Sequence, residues 1–303
     1  MIDARLIAPV GDRLGPRIEA EAAGVATVLP RLALEARQVA AQVALGIHGR
    51  RRAGLGETFW QFRPFNSGEP ADRIDWRRSA RDDRLYVRER EWESASTYWL
   101  WIDLSRSMDF TSSLALASKR DRAIVLGLAL ADLLVRSGER VGLLGRTAPI
   151  LSRSIIGRLA DALPATASAA TDMPDGPAPG PRDRLLLIGD FILAHAEFEH
   201  RFRRLTDRGS GGLAVQIRDP VETLFPFRGE TEFLGPEDGT RWRVGAADDM
   251  AEAYRHRLEA HEASLRQTCQ HRGWRFSAMT TDRPASEMVL QLAMQLSGTP
   301  GRG

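Results

Sequence analysis

From residue 97 onward the sequence predicts an α/β fold, a mostly parallel sheet with helices on both faces. Three observations lead there. Short apolar runs alternate with helix-length segments along the chain, the order that builds βαβ units. The run "RLLLIGD" (184–190) is continuously apolar up to its polar end, as in a strand buried on both faces. Two of the runs, "YWLWID" and "LLLIGD", end in a carboxylate, Asp103 and Asp190.

The elements follow in order. Residues 30–47, "PRLALEARQVAAQVALGI", have Pro30 near the start and Gly49 just beyond the end, which predicts an amphipathic helix within an N-terminal helical segment, 1–50. Residues 48–59 read as a glycine-punctuated basic loop. Aromatic and charged residues alternate from 57 to 97, predicting short strands of a small β-rich subregion, 51–96, in which Trp76 and Trp92 serve as small-core anchors. Then come the strand "TYWLWID" (97–103), a helix over 116–138, the strand "RVGLLG" (140–145) and a helix over 153–163. A Pro/Ala/Gly-rich loop, 164–183, precedes the strand "RLLLIGD" (184–190), a helix over 196–209 and the strand "GLAVQIRD" (212–219). Residues 222–245 carry two glycine-acid turns and predict a hairpin excursion. A long helix over 247–272, the strand "WRFSAMT" (274–280) and a helix near 284–297 complete the 97–303 domain.

Composition narrows the function classes. Lys plus Arg number 42 against 40 Asp plus Glu, a formal charge of +2, and the one lysine is Lys119. The arginine-dense stretch 50–93 holds 11 Arg and 9 acids. Interleaved signs of this kind make a salt-bridged surface rather than a phosphate track, so no nucleic-acid partner is expected. No stretch approaches the length of a membrane span, and no signal peptide is evident, so the expected location is cytoplasmic. Cys269, the single cysteine, lies with Met250, Tyr254, Leu258 and Leu265 on the apolar face of the predicted helix and reads as a small buried hydrophobe.

The candidate chemistry sits at the strand exits, where ligands of open α/β sheets gather. After Asp103, Ser105 and Ser107 recur at a spacing of two, so one carboxylate and two hydroxyls share a side of a tight turn. Hard oxygen ligands of this kind suit Mg²⁺ or Mn²⁺, and Asp190 at a neighbouring exit offers a further carboxylate. The same residues admit a plainer reading, in which the acids cap loops and the serines cap the following helix.

"DLSRSM" after an apolar strand resembles the metal-ion-dependent adhesion site, D-x-S-x-S, of von Willebrand factor A domains, which implies a Rossmann-type sheet. The chain further resembles the DUF58 family of bacterial proteins. The motifs carrying this are "GEPADRIDWRRSAR" (68–81) within 54–91, "IDLSRSM" (102–108), "LIGDF" (187–191) and "DPVETLFPFRG" (219–229), followed by a helix containing "YRHRLEAHEASL". The resemblance implies a non-enzymatic adaptor that works with a MoxR-type AAA+ ATPase and other von Willebrand A-type proteins in chaperone-like assembly or maturation. It also implies Mg or Mn at Asp103, Ser105, Ser107 and Asp190, with one coordination position left for a partner's carboxylate. The adhesion-site pattern includes a loop threonine. The corresponding region here is 164–183, whose Thr166 and Thr171 stand in no recognisable context, so an incomplete site is also consistent with the sequence.

Two other classes compete with this reading. A Mg-dependent phosphoryl-transfer hydrolase would use Asp103 as nucleophile, but Ser105 stands where that motif has a second acid, and Lys119 falls in a helix. There is no P-loop, G-x-S-x-G or H-E-x-x-H, and His195 and His200, five apart, do not share a helix face. A nucleic-acid-binding protein is the weaker alternative, and the expectation is no enzymatic activity.

Overall fold

A computed structural model describes residues 14–50, 59–66, 69–81, 84–90, 95–167, 173–174, 179–235 and 239–297. Trp92, Thr171 and most of the basic loop 48–59 lie outside the described residues, as does the side chain of Thr166. The chain forms two compact units: one contains the residues up to Leu45 and from Ser96 on, and the other runs from Gly46 to Ala95.

The first helix, α1 (Leu14–Arg50), starts well before the segment predicted for it and carries Pro30 inside. Val25, Leu29, Leu32, Ala36, Val39 and Val43 are buried, a stripe at helical spacing that continues on both sides of the proline. Burial of that stripe offsets the lost N–H, which sequence propensity alone counts against a helix.

In the smaller unit β1 (Phe59–Pro64) pairs antiparallel with β2 (Tyr86–Arg90). The diagnostic "IDWRRS" lies between them. Asp75 caps the short α2 (Trp76–Ser79) by accepting from Arg78 N at 2.9 Å, and Ser79 Oγ accepts from Tyr86 N at 2.9 Å. The motif is thus a turn that hooks onto its own hairpin. Trp76 is 62% exposed and is not the core anchor expected of it: at the first position of a one-turn helix its side chain has no second layer to pack against.

The larger unit is built on a five-stranded parallel sheet of β3 (Thr97–Ile102), β4 (Arg140–Leu143), β5 (Asp183–Gly189), β6 (Gly211–Arg218) and, last in the chain, β9 (Arg275–Thr280). Their spatial order is β4-β3-β5-β6-β9, all parallel. The intervening elements are α3 (Lys119–Arg136), α4 (Ile155–Ala167), α5 (His195–Thr206), the one-turn α6 (Pro220–Leu224), the hairpin β7 (Thr231–Leu234) and β8 (Arg241–Val244), and α7 (Ala251–His271); α8 (Ala285–Ser297) follows β9.

Alternation along each strand assigns the faces. Leu100 and Ile102 lie under α3 so closely that a Cβ on Gly127 would stand 2.7 Å from Ile102 Cδ1. On the opposite face Leu185, Leu187 and Ala214 join Phe198 and Phe202 of α5 and Leu265 and Cys269 of α7. Cys269 is therefore the buried hydrophobe that its spacing predicts, and burial pushes its thiol up to about 12. Among the described residues no helix is long and apolar enough to cross a membrane.

Candidate functional site at the carboxyl edge of the sheet

The strand order places the reversal of winding between β3 and β5, because the chain leaves β3 first to one side and then crosses to the other. A crevice at that reversal is where such sheets bind ligands. Asp103 and Asp190 both exit there. β3 and β5 pair through Ile102 and Ile188, Asp103 N donates to Ile188 O at 2.8 Å, and Asp190 follows one residue beyond Gly189. That glycine has a steric reason: a Cβ on it would lie 2.8 Å from Asp103 Cβ and 3.2 Å from the Trp101 ring.

The "DLSRSM" turn is well ordered by its own polar groups. Asp103 is fully buried, and its Oδ1 accepts from Ser105 N at 2.9 Å, a side-chain turn that sends the chain away from the strand. The Ser105 and Ser107 hydroxyls are buried and 3.1 Å apart. The expected capping by serine is absent at Ser105, which begins a 3₁₀ turn over Arg106–Asp109 without a side-chain cap bond.

At Asp190 the site departs from sequence expectation. Lys119, the only lysine of the chain, is 1% exposed, and its Nζ donates to Asp190 Oδ2 at 2.9 Å and to Glu222 Oε1 at 2.7 Å. It is the first residue of α3, where Ser118 caps the helix by accepting from Asp121 N. A cation at a helix N-terminus opposes the helix dipole, so the two carboxylates must hold it. Burial alone lowers the lysine's pKa, but Asp190 and Glu222 outweigh it and keep the ammonium above the usual lysine range.

Glu222 in turn belongs to "DPVETL". Asp219 and Glu222 form a capping box on α6, with Asp219 N donating to Glu222 Oε2 at 2.8 Å and Val221 N to Asp219 Oδ1 at 2.9 Å. Asp219 Oδ2 also accepts from Ser112 N at 2.8 Å, so the loop after β3 is tied to the end of β6. Gln216 Nε2 donates to the Asp190 carbonyl at 2.9 Å, and Arg218 donates to Gln216 Oε1 and pairs with Glu262. Phe191, next after Asp190, is buried at φ 52°, a conformation costly for an aromatic residue and held by packing against Trp101 and Phe198.

The donor set for a divalent ion therefore divides. Two hydroxyls 3.1 Å apart match adjacent corners of a Mg²⁺ octahedron, about 3 Å for ~2.1 Å bonds. Asp190 does not fit the same shell. Its Oδ2 is held by Lys119 and its Oδ1 accepts from Ile192 N at 3.3 Å, and a metal there would place a dication beside the ammonium. Among the described residues no three His, Cys, Asp or Glu side chains converge as a metal cluster. The sequence motifs alone do not mark Lys119 and Glu222 as site residues. A signal was present for each: a lone lysine in an arginine-rich chain, and a Pro-led acidic turn directly after a buried strand.

The loops of this edge expose four large apolar side chains among polar ones. Leu114 and Leu116 from the loop after β3, Ile192 after β5 and Leu224 at the end of α6 are 47%, 65%, 58% and 63% exposed.

Comparison with known proteins bears on the identity of this arrangement. The model of the family described as "Protein of unknown function DUF58" matches residues 61–267, which is more than half of the chain. The chain belongs to the DUF58 family. Uncharacterized proteins of Mycobacterium bovis and Mycobacterium tuberculosis are 24% identical over 276 residues, 86% of this chain and 86% of theirs. Two solved structures match more distantly. One is an aerotolerance-related membrane protein from Bacteroides fragilis, with TM-score 0.36 and 12% identity, covering 66% of this chain and all of that one. The other is a conserved hypothetical protein, BatB, from Bacteroides thetaiotaomicron, with TM-score 0.33 and 11% identity, covering 68% of this chain and all of that one.

Proposed function

We propose that this DUF58 protein is a non-enzymatic interaction module whose binding surface is the carboxyl edge of the sheet. One observation carries the reading. At the strand exits Lys119 is buried against Asp190 and Glu222, while the loops around them present Leu114, Ile192 and Leu224 to solvent. A rigid polar base under exposed apolar side chains suits a partner surface. Asp103, fully buried with Oδ1 engaged by Ser105 N, is poorly placed to attack a phosphoryl group.

The partner to test is a MoxR-type AAA+ ATPase, as the resemblance implies, in a cytoplasmic assembly. Purified protein should retain such an ATPase encoded in the same genome, and Ile192→Asp with Leu224→Asp should abolish retention without lowering the melting temperature. Retention unchanged by both substitutions would sink the assignment of the edge. Phosphatase turnover lost in Asp103→Ala would support an enzyme instead.

A divalent ion is a separable proposal, resting on Asp103, Ser105 and Ser107 without Asp190. When bound it would supply an open coordination position for a partner's carboxylate. Calorimetric titration with Mg²⁺ and Mn²⁺ should give binding that Asp103→Ala removes, and identical flat isotherms would eliminate the metal.

A further inference from the structure

A cavity adjoins that edge on the larger unit and shares Leu116 with it. Its volume is about 260 Å³, and it is lined by Arg31 and Glu35 of α1, Leu116, Ala117, Asp121 and Arg122 around the start of α3, and the first residue of α8. Of these, Arg122 stands out. It is 4% exposed, and among the described residues its guanidinium makes one long hydrogen bond, Nη2 to the Thr281 carbonyl at 3.5 Å. Its Nε is buried and meets no acceptor among the described residues. A guanidinium carries five N–H donors in a planar fork, so most of its bonding capacity is unspent. The Thr281 hydroxyl, on a fully buried residue beside it, also has no partner among the described residues.

Buried arginines are ordinarily matched by carboxylates or carbonyls. Here Asp121 is bonded to another arginine, and Glu35 acts on Arg122 through its charge with no hydrogen bond between them among the described residues. Asp121 Oδ2 accepts from Arg31 at 2.7 Å, and Glu35 lies 3.9 Å from the same Arg31. Burial pulls the Arg122 pKa down, with Glu35 only partly opposing it. The first turns of α3 and α8 both border the cavity, and helix N-termini favour negative charge.

We propose that this cavity is a binding site for a carboxylate, received by the Arg122 guanidinium between the N-termini of α3 and α8. Charge selects the ligand class. Arg31 and Arg122 face Glu35 and Asp121, so the lining is neutral overall and accommodates a single negative charge better than a phosphate dianion. The volume holds a carboxylate on a short carbon chain, smaller than a typical drug-sized ligand. The group could be a free small acid or the side chain of an acidic peptide. The proposal does not depend on the interaction edge described above.

The test measures melting temperature and calorimetric heat with sodium acetate, with a capped Ala-Glu-Ala peptide, and with sodium chloride at matched ionic strength. Acetate or the peptide should stabilise the wild type where chloride does not, and the stronger of the two identifies the source. Arg122→Met should lose the response while melting no lower than wild type in chloride, since the burial of this charge outweighs what Glu35 returns. Leu116→Glu, at an exposed position, places a carboxylate in the cavity mouth and should likewise lose the acetate response. Equal effects of chloride, acetate and peptide, a response retained in Arg122→Met, or a lower melting temperature of that variant in chloride would each overturn the proposal.

Discussion

Replacing Lys119 by methionine isolates what the buried cation contributes. Methionine keeps most of the side-chain length and volume, so loss of packing is small, while Asp190 and Glu222 are left facing each other without the ammonium 2.9 and 2.7 Å away. Breaking a buried ion pair by removing one partner costs about 3–5 kcal/mol. The Lys119 and Asp190 side chains are 1% and 2% exposed, but that of Glu222 is 20% exposed, which lets water screen one carboxylate. The lower end, about 3 kcal/mol, is therefore expected. At about 2.1 cal/mol/K of unfolding entropy per residue, that corresponds to a fall in melting temperature of about 5 °C. Denaturation of wild type, Lys119→Met and the double variant Lys119→Met/Asp190→Asn gives the decisive comparison. Neutralising Asp190 in the methionine background should recover at least half of the loss, because it removes the stranded charge. A methionine variant within about 1 kcal/mol of wild type, or a double variant less stable than the single one, would refute the reasoning.

Gly189→Ala should destabilise by about 1–3 kcal/mol, because the new methyl would meet Asp103 Cβ at 2.8 Å; chemical denaturation measures it, and an unchanged midpoint would show that the strand exits can spread. Cys269, buried with its thiol pushed up to about 12, should resist thiol reagents at neutral pH in the native protein and react fully on unfolding; rapid native labelling would contradict that placement. Glu262 experiences burial that raises its pKa, but bonds from Arg218 and Arg266 prevail and hold it below the usual carboxylate range. Its contribution is thus present above the unfolded pKa and lost as pH falls through the folded one. Glu262→Gln should cost about 1 kcal/mol at neutral pH, a modest value because the side chain is partly exposed, and nothing in acid; a difference from wild type independent of pH would disprove the charge's role.

Strand and helix positions of the α/β unit are legible because the central strands are largely apolar runs and the helices carry apolar stripes at their own period. The carboxylates Asp103 and Asp190 could be placed at exits for the same reason. Misreadings occurred where local chemistry competes with packing. Pro30 suggests a helix start, yet a stripe buried on both sides carries α1 through it. Trp76 suggests a core anchor, yet the brevity of α2 leaves it exposed.

By itself the sequence determined the order of elements, the parallel sheet and the strand exits from which Asp103, Ser105, Ser107 and Asp190 emerge. Periodicity and turn chemistry are local, and so are recorded in neighbouring residues. Only the tertiary structure decided what faces what at those exits. Lys119 is 71 residues from Asp190 and 103 from Glu222, separations over which no spacing rule operates. Parallel crossovers return those segments to one edge, and there the cost of burying charge makes the ammonium and the two carboxylates mutually necessary.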